Sequence, residues 1–517
     1  MNKQGLCVAI FLALYQVLGA AGNHDALAVE GTASVAAQQP GLSNPMARQA
    51  AMEAAQEAGK ASGDTLPLHA TDAAGHQTPS NAPHGSMPDD DVMGQKAAGG
   101  EHESLLPEDN LNEDEKLFGM RRGVVHPYVA VSAEYTDNLY NLDKERVENL
   151  LFSINPGIWL SLPGKQQIPV TLAPNNASAG GYQYEMERYE RSEPFELFLL
   201  GDLDYRMYSE DSNLDAMLYR LQGFARYNFP AGLSLQILDA YTHNQDRFDI
   251  GHPDSHMTHI FDSNSIMGTI DWLITEKFQV TADLSLFTLA YDEKDFSYLE
   301  RDDLALDLHF FFHATDKTAF FAEYRYIDTQ YDSNASYDST ANAYYIGMKW
   351  DSTDKLSFLT RVGLSDKAYD DAQFTDWDGF VFELQTVYRM TEKSKLTFDL
   401  YRQNEETDMI AAEDKIMIGA ALGYDLDITD KIHVGIRGRY ENADYRRRSG
   451  YSYYTDPNGN EEYSRQDDRF IISPHLDYLF TNWLKAGIGY RYEQRNSNID
   501  IYDYYSNTIF ADVKVAL

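Results

Sequence analysis

Cysteine is almost absent from this 517-residue chain, because the single one, Cys7, lies within the first 21 residues. Those residues, 1–21, contain one lysine, a short apolar run and small residues, which predicts a signal peptide cleaved after Ala21 or after Ala28. The mature chain would then hold no cysteine, which excludes disulfides and thiolate chemistry. Small residues of a lipoprotein cleavage site do not precede Cys7, so we expect no lipid anchor.

Long apolar runs and positive charge are also scarce. The N-terminal apolar run is shorter than the roughly 20 residues of a membrane-spanning helix, and no longer run occurs elsewhere. The chain has 42 Lys and Arg residues against 81 Asp and Glu residues, a formal net charge of −39. Because nucleic-acid phosphates need a basic surface, we expect no nucleic-acid partner.

Motifs of catalysis and cofactor binding are missing too. The sequence has no Gly-rich phosphate loop, HExxH helix, nucleophile elbow or metal-spaced Cys/His cluster. We therefore expect no enzyme activity, no cofactor and no metal. Residues 456–462, DPNGNEE, resemble part of a calcium loop, but the flanking YSYYT and EEYSR favour the turn of a β-hairpin.

The sequence contains a repeated short tag instead. Thr-Asp-Lys or Thr-Glu-Lys begins at residues 275, 315, 353, 391 and 429, and a looser Thr-Asn-Trp begins at 481. Between tags, apolar and polar residues alternate: after the tag at 429, Ile432 and Ile436 share one parity, while His433 and Arg437 take the other. A fixed period of this size indicates a repeated unit, and a side-chain period of two indicates paired β-strands.

The alternation continues from about residue 125 to the C terminus. It predicts 18 strands, at 125–136, 149–161, 195–208, 214–229, 233–247, 258–274, 278–292, 298–313, 318–330, 339–351, 355–367, 376–390, 394–406, 413–428, 431–446, 466–480, 483–496 and 501–517. The stretch 162–195 gives weak signals and fits either a folded-in loop or two additional strands.

Three features favour a membrane barrel over a soluble β-sandwich. The strands are roughly two to three times the usual length of soluble strands, and their apolar face carries no charge over runs such as Leu304 to Phe312. Aromatic residues recur three positions before the tags. These predict an interfacial girdle of Trp272, Phe312, Trp350, Tyr388 and Tyr478. The sequence therefore predicts an all-β fold, a transmembrane antiparallel up-and-down β-barrel of about 18 strands.

The predicted organisation has three parts. Residues 1–21 form the signal peptide, residues 22–117 a disordered low-complexity periplasmic segment, and residues 118–517 the outer-membrane β-barrel. Short turns at one end and long acidic loops at the other are typical of bacterial outer-membrane barrels, whose short turns are periplasmic. We expect both termini in the periplasm, and outer-membrane lipid and lipopolysaccharide as the surroundings.

The opposite parity provides candidates for the lumen wall. They are Glu323, Arg325, Arg361, Asp399, Arg437, Arg439, Arg491 and Glu493. Two arrangements fit them: a basic sector that faces an acidic sector across the lumen, or neighbouring ion pairs that satisfy one another.

The first predicted strands read VAVSAEYTDNLYNLDKERVENLLFSINPGIWLSL, residues 129–162. This Glu-Tyr-x-Asp-Asn opener, followed by a strand with Ile-x-Pro-Gly and by the tag rhythm, resembles the putative beta-barrel porin 2 family. The resemblance implies a barrel without catalytic residues, often linked to exopolysaccharide secretion. We therefore expect a channel that exports exopolysaccharide or another hydrophilic polymer, together with periplasmic export machinery. The alternatives are a general or anion-preferring diffusion porin, and a structural or adhesin barrel with a closed lumen.

Overall fold

The structure, a computed structural model, describes residues 71–72, 124–163, 174–181, 194–247, 259–353, 355–455 and 461–516. The predicted signal peptide and most of the 22–117 segment lie outside these residues. From that segment the structure describes Thr71–Asp72, a two-residue strand that pairs in parallel with Asp246 and Arg247.

Eighteen long strands form one sheet. They are β1 (Val125–Thr136), β2 (Asn149–Leu162), β3 (Phe195–Tyr208), β4 (Ala216–Asn228), β5 (Leu233–Arg247), β6 (His259–Thr275), β7 (Phe278–Tyr291), β8 (Arg301–Thr315), β9 (Thr318–Tyr331), β10 (Ser339–Thr353), β11 (Leu356–Tyr369), β12 (Trp377–Thr391), β13 (Ser394–Glu405), β14 (Ala412–Thr429), β15 (Ile432–Arg447), β16 (Arg465–Thr481), β17 (Leu484–Ser497) and β18 (Tyr504–Ala516). Each pairs antiparallel with the next, and β1 pairs with β18 from Tyr128 opposite Ala516 to Thr136 opposite Thr508. The sheet is therefore closed, which confirms the predicted 18-stranded antiparallel barrel.

Predicted and observed strand ends differ by at most three residues. The largest differences, of three residues, fall at the starts of β8 and β18, where short 3-10 turns, Lys294–Leu299 and Asp500–Tyr502, precede the strand. The turn Ser212–Leu214 precedes β4, whose start differs by two residues, and the turn Ala335–Tyr337 precedes β10, whose start agrees with the prediction. At β4, β8 and β18 the side chains of the turn continue the alternation while the backbone curls, so the pattern alone starts the strand too early.

Burial along the strands is the reverse of that in a soluble protein. On β8 the apolar Leu308, Phe310 and Phe312 are exposed on the outer surface, whereas Asp307 and His309 between them are buried inside. An exposed apolar band around a polar interior is the pattern of a barrel that contacts lipid. Within the described residues, no helix is both long enough and apolar enough to cross a membrane.

The repeated tags form the tight turns at one end of the barrel. In the tags at 275, 315, 391 and 429, the threonine hydroxyl accepts the backbone N–H of the lysine two residues later, with N to Oγ1 distances of 3.1–3.2 Å. Thr481 accepts the N–H of Trp483 in the same way, at 3.4 Å. Threonine recurs because its hydroxyl satisfies a backbone donor that a two-residue turn leaves unpaired.

The long loops lie at the opposite end. In the loop between β15 and β16, Tyr454–Thr455 pairs antiparallel with Glu461–Glu462, as the flanking segments predict for a hairpin. The turn between them, residues 456–460, lies outside the described residues.

Candidate functional site inside the barrel

The connection between β2 and β3 is much longer than the other turns at its end of the barrel. It runs from residue 163 to residue 194 and leaves from the short-turn end, where the other connections are two to four residues long. Its described central part, residues 174–181, lies inside the barrel against β7, β8 and the β13–β14 loop. We call residues 174–181 the interior turn. For these residues, the folded-in loop is the alternative that the structure shows.

The reach of the chain agrees with this position. Asp303, which contacts the interior turn, lies 12 residues from the short-turn end of β8 at Thr315. At about 3.3 Å per residue and a strand tilt near 40°, this is a depth of roughly 30 Å. The 11 residues from Pro163 to Pro174 can span up to roughly 36–40 Å. The loop is therefore long enough to enter at one end of the barrel and contact the wall near the other.

The interior turn is compact because of its sequence, PNNASAGG. The Asn175 side-chain oxygen accepts the backbone N–H groups of Ala177 and Ser178 at 3.0 and 3.2 Å. Gly180 and Gly181 adopt positive φ angles of 84° and 70°, which favour glycine. A Cβ on Gly181 would also lie 1.9 Å from Cδ2 of Phe287, so the turn packs directly on β7.

Two charged residues of β8 anchor this turn. The Arg301 guanidinium donates through Nη2 to the carbonyls of Asn176, at 2.7 Å, and Ser178, at 3.2 Å. Asp303 accepts the N–H of Gly180 at 2.7 Å and pairs with Arg301 Nε at 3.2 Å. Both side chains are buried, with exposures of 3% and 2%. Hydrogen bonds to charged groups are the strong class, so this is a specific anchor.

Glu406, the first residue after β13, holds the same turn from the other side. Its backbone N–H donates to the Ala177 carbonyl at 2.8 Å. Its carboxylate pairs with Lys367 Nζ at 2.5 Å and accepts the Tyr331 hydroxyl at 3.0 Å. Burial opposes ionisation, but the cationic Lys367 and Arg301 prevail and hold the pKa of the Glu406 carboxyl below its ordinary value. Glu406 is therefore anionic at neutral pH.

The β13–β14 loop that begins with Glu406 is itself fixed by tyrosines of neighbouring long loops. Tyr298 donates its hydroxyl to the Asp408 carbonyl at 3.0 Å, and Tyr337 donates to the Ile410 carbonyl at 3.1 Å. Beside the interior turn, a cavity of about 80 Å³ is lined in part by Ser178, Ala179, Arg325, Arg361, Lys367 and Glu406. The two loops together thus obstruct part of the interior near the long-loop end.

The eight residues predicted for the lumen wall all lie at inward positions of their strands. Arg361 bridges Glu323 and Glu383 at 2.7 and 2.8 Å. Arg325 contacts Asp307 at 3.0 Å and Glu323 at 3.2 Å.

The same alternation of charge continues on the later strands. Arg439 pairs with Glu441 at 3.2 Å, and Glu493 pairs with Arg469 at 3.1 Å. Asp399, Arg437 and Arg491 occupy inward positions beside Ala421, Gly423 and Thr508. These ion pairs between neighbours match the second of the two predicted arrangements. Whether the eight residues act in conduction stays a prediction.

The five aromatic residues predicted for a girdle lie on the outer surface. Their exposures run from 37% to 47%, and each stands three residues before a short turn. They are Trp272, Phe312, Trp350, Tyr388 and Tyr478. Their role at a membrane interface stays a prediction.

No motif in the sequence marks the residues that hold the interior turn. Arg301, Asp303, Lys367 and Glu406 look like other charges of the wall and loops. The available signal was the length of the 163–194 connection, because a loop of this length in a compact domain is often functional.

Comparisons with known proteins establish the family. No curated protein sequence matches the chain. Among solved structures, OpdQ of Pseudomonas aeruginosa is similar at 10% identity, over 77% of this chain and 100% of that one, with a TM-score of 0.39. OccK2 (OpdF) of the same organism is similar at 8%, over 76% and 98%, with a TM-score of 0.41. The siderophore receptor PirA, also from Pseudomonas aeruginosa, is similar at 8%, over 77% and 81%, with a TM-score of 0.39.

Structural similarity at this level carries no argument about function. The family described as putative beta-barrel porin 2, in contrast, matches residues 204–517, more than half of the chain. The closed barrel with a polar interior and an apolar exterior is the fold that this description names. The chain therefore belongs to the putative beta-barrel porin 2 family, and it is a porin-like β-barrel channel of the bacterial outer membrane.

Proposed function

We propose that this channel is gated and that it exports a hydrophilic polymer, with exopolysaccharide as the first candidate. The observation that carries the proposal is the interior turn, which Arg301, Asp303 and Glu406 anchor although the strand before its loop, β2, ends at the short-turn end of the barrel. In this proposal the short-turn end and both termini face the periplasm. A polymer that arrives there, delivered by periplasmic machinery, meets the loop before it meets the long-loop mouth.

The chemistry of the anchor suits a reversible gate. The interior turn is held mainly by hydrogen bonds and ion contacts rather than by a large apolar core. Such bonds contribute about 0.5–1.5 kcal/mol each, or about 1.5–3 kcal/mol when one partner is charged, because water or a sugar hydroxyl can replace them. A hydrophilic chain can therefore compete for Arg301, Asp303 and Glu406 and displace the turn.

The alternatives differ in what they require of the interior. A general diffusion porin needs a permanently open lumen, and an anion-preferring one needs arginines that are not neutralised. The pairing of Arg361 with Glu323 and Glu383 does not favour an anion-preferring porin, because it neutralises the arginine. The interior turn does not favour a permanently open lumen. A structural or adhesin barrel would use the same turn as a permanent closure.

Planar-bilayer recordings separate these three functions. The comparison is between the wild-type chain and a variant in which residues 174–181 are replaced by a Gly/Ser segment of equal length. A gated channel is silent as wild type and conducts steadily as the variant. Steady wild-type current would identify a diffusion porin, and two silent proteins would identify a closed structural barrel.

The polymer itself is tested in cells. Deleting the gene should reduce surface polysaccharide, and the wild-type gene should restore it. An unchanged amount of surface polysaccharide in the deletion strain would contradict export of exopolysaccharide. The bilayer result would still stand in that case, so the gate and its cargo are tested separately.

A further inference from the structure

Two histidines and an aspartate meet on the inner wall near the short-turn end. Asp425 of β14, His433 of β15 and His475 of β16 each direct a ligand atom to one place, and these atoms all lie within 4.8 Å of one another. The pairing of the strands brings them together. Asp425 and His475 both lie directly opposite Gly435 of β15, on its two neighbouring strands. His433 lies two residues before Gly435 and also faces inward. This cluster is separate from the interior turn, which contacts β7, β8 and Glu406.

Gly435 makes the space for the cluster. A Cβ at this position would lie 2.6 Å from His475 Nε2 and 2.9 Å from Asp425 Oδ1. An imidazole nitrogen and a carboxylate oxygen therefore converge over a position where any side chain would block them. Asp425 and His475 are buried, with exposures of 3% and 5%.

The third ligand has the support that metal-binding histidines usually have. His433 Nδ1 lies 2.7 Å from Asp427 Oδ1, and the two residues are directly opposite each other on β14 and β15. A carboxylate on one ring nitrogen orients the imidazole and raises the basicity of the other, as in carboxylate–histidine–zinc arrangements. The contact with Asp427 thus orients the His433 ring so that Nε2 can bind a cation.

Two further aspartates, Asp477 and Asp512, lie beside the cluster and closer to the short-turn end of the barrel. Oδ1 of Asp477 and Oδ1 of Asp512 both converge over Gly487, at 2.5 and 2.6 Å from where its Cβ would stand. Asp512 is 3% exposed, and neither of its carboxylate oxygens has a hydrogen-bond partner among the described residues. Lys485 lies 3.4 Å from Asp477, and Lys395 is in register beside Asp425. The wall here stays rich in carboxylate oxygen despite these lysines.

We propose that Asp425, His433 and His475 form a binding site for a divalent transition metal of the zinc class. Two imidazoles and one carboxylate with an open fourth position suit zinc, whereas calcium and magnesium prefer all-oxygen sites. Tetrahedral zinc with bonds of about 2.0–2.2 Å holds its ligand atoms roughly 3.4 Å apart, and the atoms here lie within 4.8 Å of one another. Bound metal would cross-link three consecutive strands at the short-turn mouth.

A second group of three possible ligands elsewhere on the wall is already paired with arginines. Asp307, His309 and Glu323 also bring their ligand atoms together. There, however, Arg325 contacts Asp307 at 3.0 Å and Arg361 contacts Glu323 at 2.7 Å. Guanidinium groups already occupy those carboxylates, and a cation would have to displace them.

Metal analysis of the purified, folded chain in detergent tests the proposal. After treatment with a chelator and titration with zinc, the wild type should bind one zinc per chain by calorimetry and elemental analysis. His475→Gln should weaken binding at least about 100-fold, and Asp427→Asn, which removes only the supporting carboxylate, about 10- to 100-fold. The matched control is His243→Gln, because His243 also pairs with a carboxylate, Asp262, at 2.8 Å, but lies on the outer face.

Cobalt serves as a second probe that needs no substitution. Cobalt(II) bound to the wild-type chain should show the visible absorption of a low-coordinate nitrogen and oxygen site, and zinc should abolish it. Folded wild type without stoichiometric zinc or cobalt binding would overturn the proposal. So would equal loss in His243→Gln, or full binding by a folded His475→Gln variant.

Discussion

The backbone N–H of Gly180 donates to Oδ2 of Asp303 at 2.7 Å, although 123 residues separate the two in sequence. Gly180 belongs to a loop that leaves the barrel wall at the short-turn end, and Asp303 lies near the long-loop end of β8. This single contact therefore places the interior turn near the end of the barrel opposite to the one at which β2 ends.

Replacing Asp303 should open the channel. Asp303→Ala removes the acceptor of Gly180 and the partner of Arg301, contacts of the charged class that contribute about 1.5–3 kcal/mol. The ratio of closed to open channels should fall about 10- to 150-fold, which bilayer recordings measure as added open time. The control is Asp302→Ala, the outward-facing neighbour on the same strand. Equal open times in the two variants would contradict the anchor.

A methyl group on Gly181 should dislodge the interior turn. Gly181→Ala places a Cβ against the Phe287 ring and on a backbone with φ of 70°, whereas Gly450→Ala has a φ of 86° but no atom within 4 Å. The readout is maleimide labelling of a Ser178→Cys reporter, in a chain whose single native cysteine, Cys7, has been replaced by serine. Gly181→Ala should speed labelling and Gly450→Ala should not. Identical rates would show that contact with Phe287 does not hold the turn.

Acid should release the gate only below the ordinary titration range of a glutamate. The pKa of Glu406 is lowered, because Lys367 and Arg301 outweigh the effect of burial. Because the pKa is lowered, the ionised carboxylate stabilises the closed state fully above about pH 4.5, the ordinary pKa of a glutamate. This stabilisation is lost only as the pH falls through the lower pKa that Glu406 has in the closed state. Channel recordings should therefore match at pH 7 and pH 5 and show opening in stronger acid.

Glu406→Gln provides the comparison for the acid experiment. It removes the charge that holds Lys367 and should conduct at pH 7 as the wild type does in strong acid. A wild-type channel that opens between pH 7 and pH 5 would show that another group controls the gate.

The facing of β15 is tested by two adjacent substitutions. Ile436 is 42% exposed on the outer surface, and Arg437 lies at an inward position. Ile436→Arg should block assembly, because a guanidinium that faces lipid near mid-bilayer costs about 2–4 kcal/mol, whereas Arg437→Ile should fold. Heat-modifiable migration on a gel reports folding. The opposite pair of results would mean that the strand faces the other way.

The barrel wall could be predicted because its information is local. On β8, Leu308 and Asp307 differ by one position, and a period of two decides which of them meets lipid and which meets the interior. The tag threonines are local as well, since each satisfies a backbone N–H two residues away. The errors fall where 3-10 turns such as Asp500–Tyr502 keep the alternation but curl the backbone.

The local patterns thus predict the number of strands, the face of the sheet on which each side chain lies and the closed antiparallel sheet. The contacts inside the barrel become visible in the folded chain alone. The anchor joins Gly180 to Asp303, and the proposed metal site joins Asp425, His433 and His475, whose sequence spacing matches no metal motif. The reason is physical: alternation fixes on which face a side chain lies. Which side chains then meet depends on strand register around a closed sheet and on the path of a long loop, and neither has a local period.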